Sequence, residues 1–308
     1  MPAPDLIIPA PLSTATEAIL AGADLHTTAA GAGVDPERLA EAVDVYRAAG
    51  VAALCRRSED AWVQVYVTPA DFHTVEQTVA TQLGPLLDQT GAGWWFLRKY
   101  PDWRIRTRAR AGVVIPILDR LTETGTITGW RRSVYEPEEA AFGGPAAMAA
   151  VHDLFCADTA GLLGHLRQSP GGPLRREVSL VLLRALQHAA GLDAFESGAV
   201  YDAVAQLRPE PADQAKVTAL AAGLAPMLHA PVGTFPDGHA LAHTRLWVQA
   251  FGLAGSALRA LADTGQLGRG LRNIIAHIVI FHWNRIGLPA DVQGVLAHAA
   301  RAATLPKD

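Results

Sequence analysis

Between Trp103 and Arg110 the chain reads WRIRTRAR, which places Arg104, Arg106, Arg108 and Arg110 at every second position. Strand side chains alternate between the two faces of a sheet, so this spacing predicts a β-strand with all four guanidiniums on one face. Like charges so placed repel, and two explanations compete. The run is a solvated edge strand carrying charge against aggregation, or it is a surface for carboxylates or phosphates, which planar guanidinium forks recognise bidentately. Ile105 is apolar but Thr107 and Ala109 are weak core residues, so the strand is expected to bury little. Arg98, Arg131 and Arg132 fall on predicted neighbouring strands and would enlarge the patch.

The surrounding texture predicts an α+β fold with a mixed or antiparallel sheet, a helix-rich carboxyl half and a small helical amino-terminal subdomain. WVQVYV from Trp62 alternates and reads as a strand, and TVEQTVATQLGPLLDQ after it is helical. WWFLRKY at 94–100 and WRIRTRARAGVVIPIL at 103–118 read as adjacent strands around a turn at Pro101 and Asp102. TITGWRRSVYEP supplies a further strand, and Pro145 opens a long helix. Helical patterns then run to the end, broken by the Pro/Gly loop PVGTFPDGHA at 231–240. Before Trp62 stand three short helices, the third with Asp35 as N-cap and Pro36 at its first position. The predicted domains are 1–58, helical, and 59–308, α+β.

With 50% hydrophobic and 18% charged residues and a formal net charge of -4, the chain has no global electrostatic reason to bind nucleic acid or an anionic membrane. The candidate recognition helix ERLAEAVDVYR is net acidic, which argues against DNA binding. Cys55 and Cys156 are too few for a disulfide framework or a four-cysteine zinc site and read as buried thiols in a reducing cytosol. The amino terminus lacks the pattern of a signal peptide, and charges or His interrupt each apolar stretch before a membrane span is complete. A cytoplasmic location is expected.

Two further clusters carry polar chemistry. In VYEPEEAAFGG, Tyr135, Glu136, Glu138 and Glu139 precede a Gly143-Gly144 turn; the acids either neutralise the arginines or, with Tyr135, exchange protons in a cleft. In AHIVIFHWNRIG, His277, His282, Trp283, Asn284 and Arg285 sit in an apolar helix. Asn284 and Arg285 either fix helix packing or project into a cleft. The histidines differ by five residues, not the four of a helical zinc pair, so no metal is expected. The phosphate-loop, dinucleotide and serine-elbow motifs are all missing, and no cofactor is expected.

Taken in order, WWFLRKYPDWRIRTRAR, YEPEEAAFGGPAAM, LFCADT and AHIVIFHWNRIGLP resemble the thiopeptide-type bacteriocin biosynthesis family, from about Trp62 to Arg301. That family is similar to the elimination domain of class I lanthipeptide dehydratases and to thiopeptide pyridine synthases. The resemblance implies a tailoring enzyme acting on a ribosomal precursor peptide with its leader. In one implied reaction a partner dehydratase glutamylates Ser or Thr and this chain removes glutamate by β-elimination. In the other, two dehydroalanines join in a formal [4+2] aza-cycloaddition that ends in a pyridine and release of the leader. A noncatalytic scaffold that presents the precursor is the third reading.

For elimination, which stands first, the resemblance assigns the glutamyl carboxylate to Arg104 or Arg106, and proton transfer to a His or Tyr. For cycloaddition, Tyr135, His282 and Asn284 are the groups that would act, and they complete the candidate catalytic set; Arg98, Arg108, Glu138, Trp283 and Arg285 are the candidate substrate contacts. Two positions depart from the dehydratase pattern. Ala141 and Phe142 stand where an Arg-Tyr pair is usual, and Ile280 stands where a His precedes the Asn-Arg pair, so His277 or His282 would have to substitute. The implied partners are the precursor and a glutamylating protein, without direct nucleic-acid or membrane contact; a homodimer is compatible.

Overall fold

The computed structural model describes residues 10–59, 62–168, 174–211, 213–229 and 241–305, with the side chains of 10 and 52–59 excepted. The first nine residues, the Cys55 thiol and the loop at 231–240 lie outside the described residues. The chain divides into two compact units, Met1–Ser58 and Glu59–Asp308.

The first unit holds three helices, α1 (Ala10–Leu20), α2 (Leu25–Ala32) and α3 (Pro36–Glu59). Their ends follow from capping chemistry. The Asp24 carboxylate accepts from the Thr27 N–H at 2.9 Å, and Asp35 accepts from the N–H groups of Glu37 and Arg38, so one orphan donor at the start of α2 and two at the start of α3 are satisfied. Ala15, Ala29, Leu39 and Val43 form a small core of their own.

The second unit begins with β1 (Val63–Pro69), a helical connection at 75–88, β2 (Trp94–Lys99), β3 (Asp102–Thr107), α6 (Ala111–Glu123) and β4 (Ile127–Ser133). The connection comprises α4 (Val75–Thr78), a π-helical turn (Val79–Leu83) and α5 (Gly84–Asp88). Neighbouring strands are antiparallel in the order β2-β3-β1-β4, so each helical connection joins two parallel strands across one intervening strand. Right-handed crossovers put both on one face of this split βαβ arrangement. Two indoles on that face touch them: Trp94 Nε1 donates to Asp88 at 2.8 Å and Trp130 Nε1 to Asp119 at 3.0 Å. Val65, Val67, Phe96, Trp103 and Ile105 share this face and are buried.

The arginine run departs from expectation in two ways. It is not an edge, because β3 pairs with β2 on one side and β1 on the other. Nor does it bury little: Trp103, Ile105 and Thr107 have no exposed surface, and the Thr107 hydroxyl accepts from the Ala109 N–H at 3.0 Å. The strand also stops at Thr107, and the segment expected to extend it is helix α6, with Pro116 inside it. Val114, Leu118 and Leu121 are its buried positions, spaced four and three apart. A continuous apolar run such as VVIPIL does not distinguish strand from helix, and the burial of one helix face decided it. Arg108 and Arg110 therefore lie beyond the strand, Arg110 as the extended residue that opens α6.

After α7 (Glu139–Phe142) come the helices α8 (Pro145–Gln168), α9 (Arg175–Ala189), α10 (Ala194–Ala205), α11 (Gln214–His229), α12 (Arg245–Asp263), α13 (Leu271–Arg285) and α14 (Ala290–Thr304). α8 packs on β2 and α12, and α12 lies against α9 so closely that a Cβ at Gly255 would meet the Leu186 carbonyl at 2.3 Å. α13 also reaches β2, while α14 packs on α10 and α11. By length and composition α8 alone among the described helices is apolar enough to cross a membrane; 56% of its apolar window is buried inside the fold.

Candidate functional site

The register arranges the second sheet face in cross-strand rows. One row runs Leu97, Arg104, Tyr66, Arg131; the next runs Trp95, Arg106, Gln64, Ser133. Arg98 and Arg132 have the opposite parity and point to the other face, so they do not enlarge the patch.

Arg106 is the centre of the second row. Only 6% of it is exposed, and its guanidinium lies 4.3 Å from the Trp95 ring centroid and 4.8 Å from that of Tyr135. Its Nε donates to Gln64 Oε1 at 2.7 Å, and Gln64 Nε2 donates in turn to the Val134 carbonyl, also at 2.7 Å. The Nη1 has no hydrogen-bond partner among the described residues. Burial lowers its pKa to about 10, with Arg104 acting in the same direction and Tyr135 and Glu138 opposing it. Arg104 stacks over Tyr66 at 5.0 Å and likewise has no acid partner among the described residues. Arg108, by contrast, is exposed, pairs with Asp153 at 3.3 Å and covers Trp62.

Tyr135 folds over this face in the segment that follows β4. Its hydroxyl lies 2.6 Å from His152 Nε2 on α8, and both rings pack against Trp62 and Trp95. Burial, reinforced by Arg108 and Arg106, pushes the His152 pKa down to about 3, so the imidazole is neutral at ordinary pH. Glu138 is exposed at the start of α7, and its charge is felt by both Arg106 and His277. His277 on α13 is half-buried, with Nδ1 3.2 Å from the Asn273 carbonyl; burial chiefly lowers its pKa. Beside it Arg269 donates to the Ala141 carbonyl at 3.0 Å. Among the described residues no three metal-binding side chains converge.

The remaining expected site residues have other partners. His282 and Arg285 are buried around Asp158: His282 Nδ1 lies 2.9 Å from the carboxylate, Arg285 Nη1 pairs with it, and Trp247 Nε1 donates to it at 2.9 Å. Burial alone would raise the Asp158 pKa, but His282 and Arg285 outweigh it and hold the carboxyl ionised. Trp283 is fully buried and donates to Ser179 Oγ. Asn284 accepts from Gln293, which is itself held by Arg208. Arg98 pairs with Glu76 on the far side of the sheet. These residues of the apolar helix α13 fix packing instead of projecting into a cleft.

Thus Arg104, Arg106 and Tyr135 come together, with Glu138 near; Arg285 reaches the same cluster from behind, its guanidinium 5.6 Å from the Trp95 ring that Arg106 also covers and its charge acting on Arg106, while Asn284, Trp283 and Arg98 are held by other partners. Sequence reading did not single out His152, Gln64, Trp62, Trp95 or Arg269. His152 lies in the apolar pattern of α8, where only its tertiary partner marks it as different.

Solved structures share this fold. The tRNA-dependent lantibiotic dehydratase MibB from Microbispora sp. 107891 is 22% identical with a TM-score of 0.59, over 79% of this chain and 28% of that one. This chain therefore spans well under half of that dehydratase. The pyridine synthase TbtD from thiomuracin biosynthesis is 16% identical with a TM-score of 0.57, over 79% of this chain and 97% of that one. TsrL is 17% identical with a TM-score of 0.57, over 79% and 94%. No curated protein matches. The family described as lantibiotic biosynthesis dehydratase, C-terminal, matches residues 62–304, nearly the whole second unit, and the chain belongs to it.

Proposed function

We propose that this protein is a lyase that removes glutamate by β-elimination from glutamylated Ser or Thr of a leader-bearing precursor peptide, leaving dehydroalanine or dehydrobutyrine. The observation that carries the reading is Arg106: a desolvated guanidinium that, among the described residues, pairs with no carboxylate and leaves its Nη1 without a hydrogen-bond partner. An unpaired buried charge is costly, and an anionic ligand offsets that cost. The Arg106 guanidinium suits the glutamyl carboxylate.

In the reaction a base removes the Cα proton, its electron pair forms the Cα=Cβ bond, the Cβ–O bond breaks, and glutamate leaves as a carboxylate. Tyr135, stacked on Arg106 and hydrogen-bonded to neutral His152, is the proton-transfer group at that position. His277 is the second candidate; it lies one turn before Ile280 on the same side of α13, so it can replace the missing histidine there. Arg269, at the Ala141 carbonyl, places a cation where the dehydratase arginine is missing and would stabilise the enolate. His282 is withdrawn from the site by Asp158.

The altered positions Ala141 and Ile280 favour cycloaddition as the second reading. So does the 97% coverage of a stand-alone pyridine synthase. That reaction relies on positioning two alkenes and needs no carboxylate pocket. Intact mass spectrometry after incubation with a glutamylated precursor and, separately, a fully dehydrated one tests both. Loss of glutamate with the leader retained supports elimination. A pyridine macrocycle with free leader replaces it by cycloaddition, and no change in either leaves the scaffold reading.

A further inference from the structure

The row next to Arg106 carries Arg131 of β4, Tyr66 of β1 and Arg104 of β3. The Tyr66 ring centroid lies 4.0 Å from the Arg131 guanidinium and 5.0 Å from that of Arg104. A guanidinium stacked on a ring keeps its in-plane N–H groups available to an acceptor. Arg131 remains 62% exposed, and its acid neighbour Asp102, at 3.4 Å, is also engaged by the Thr68 hydroxyl at 2.8 Å. Because β4 is an edge strand, the row opens at the margin of the sheet, and the chain reaches Tyr135 shortly after Arg131.

We infer that the Arg131–Tyr66–Arg104 row is a second carboxylate subsite, which binds an acidic side chain of the peptide substrate beside the residue held at Arg106. The inference rests on the reading of this face as a peptide-modifying site. Strand residues two apart are separated by about 7 Å, so the two rows are spaced like side chains i and i+2 of an extended peptide. The pair of rows therefore selects an acidic residue about two positions from the modified one. An acidic peptide fits better than a nucleic acid. Asp102 and Asp153 are interleaved with the arginines, Glu136 and Glu138 are exposed nearby, and the whole chain carries a net charge of -4; a phosphate backbone, charged at every nucleotide, would meet these acids as well as the arginines, whereas a peptide can set single carboxylates at the arginines and neutral residues beside the acids.

Fluorescence anisotropy of the full chain with fluorescein-labelled decapeptides tests the subsite. The probes alternate Glu with Ser, Gln with Ser, or Lys with Ser, and a labelled decaribonucleotide is the nucleic-acid arm. The Glu–Ser probe should bind at least about tenfold more tightly than Gln–Ser, and Arg131→Gln and Tyr66→Leu should each remove most of that preference. Arg131→Glu, at an exposed position, should shift the preference toward the Lys–Ser probe, which loss of folding cannot do. Equal binding of the Glu and Gln probes, an unchanged preference in both Arg131→Gln and Tyr66→Leu, or tighter binding of the ribonucleotide would overturn the inference. No turnover is required. A protein that does not eliminate glutamate but retains an Arg131-dependent preference loses the reaction assignment and keeps the subsite.

Discussion

Arg98 donates from its Nε to the Arg285 carbonyl at 2.8 Å, while the Nε of Arg285 donates back across the junction to the Phe96 carbonyl at 3.1 Å. The two arginines fasten edge strand β2 to the end of α13. Glu76 extends the fastening, since its carboxylate pairs with Arg98 and with Arg175, whose Nη1 also reaches the Ile286 carbonyl. Both residues expected to contact substrate are thereby occupied in joining the sheet to the helical half.

Glu76→Gln should therefore destabilise the fold, by about 1–3 kcal/mol for hydrogen bonds to charged groups that keep some solvent access. Burial acts to raise the Glu76 pKa, but Arg175 and Arg98 outweigh it and the carboxyl titrates below its usual range. With the folded pKa depressed, the contribution is present above the unfolded value and lost as pH falls through the folded one. Thermal melts from pH 7 to pH 3 should show a flatter acid limb in Glu76→Gln; a limb parallel to wild type would remove Glu76 from this role.

Asp158 is surrounded by three donors, from His282, Arg285 and Trp247, and all of these groups are buried. Asp158→Asn leaves the Arg285 charge without compensation, so a loss of roughly 3–5 kcal/mol is expected. Urea unfolding measures it. A midpoint close to wild type would mean that the Arg285 charge is compensated from elsewhere.

The βαββ part of the sheet, the three leading helices and the long helix from Pro145 were legible because each rests on local information: alternation, caps and turn residues. The strand beyond Thr107 was not, since Val114, Leu118 and Leu121 reveal their helical spacing only once it is known which of the neighbouring apolar residues are buried. The site divides in the same way. Arg104 and Arg106 were visible from period two and Tyr135 from its cluster, whereas the roles of His152 and Asp158 depend on partners 17 and 124 positions away in the chain. His282 was attractive because a histidine beside Asn-Arg looks chemical; its carboxylate partner, which buries it, comes from another helix.

The Tyr135–His152 contact leads to a pH prediction. His152 is neutral in the folded state down to about pH 3 but titrates near 6.5 when unfolded, so the unfolded state binds the extra proton between those values. Stability should fall as pH drops through that window, and His152→Gln should weaken the dependence. Above pH 5 the rate profile should carry no inflection from His152. Tyr135→Phe should cut turnover about a hundredfold, and because it takes the hydroxyl from buried His152 Nε2 it should also lower the melting temperature by a few degrees, so turnover is compared well below the melting temperature of both proteins. Turnover within about threefold of wild type would take Tyr135 out of the proton transfer and leave it to His277.

Arg106 sets function against stability. Its guanidinium stacks on Trp95 and Tyr135, yet its Nη1 has no partner among the described residues and burial lowers its pKa, so the folded protein gains little from the charge itself. Arg106→Met keeps the apolar stem over the rings but leaves Gln64 Oε1 without its donor, a loss of about 1–3 kcal/mol that relief of the buried charge offsets. The melting temperature should accordingly stay near wild type while elimination is abolished. Free glutamate, the product that would occupy the pocket, should raise the wild-type melting temperature with increasing concentration and leave that of Arg106→Met unchanged. If glutamate shifts both proteins equally, the carboxylate binds elsewhere, and the elimination reading loses the observation on which it stands.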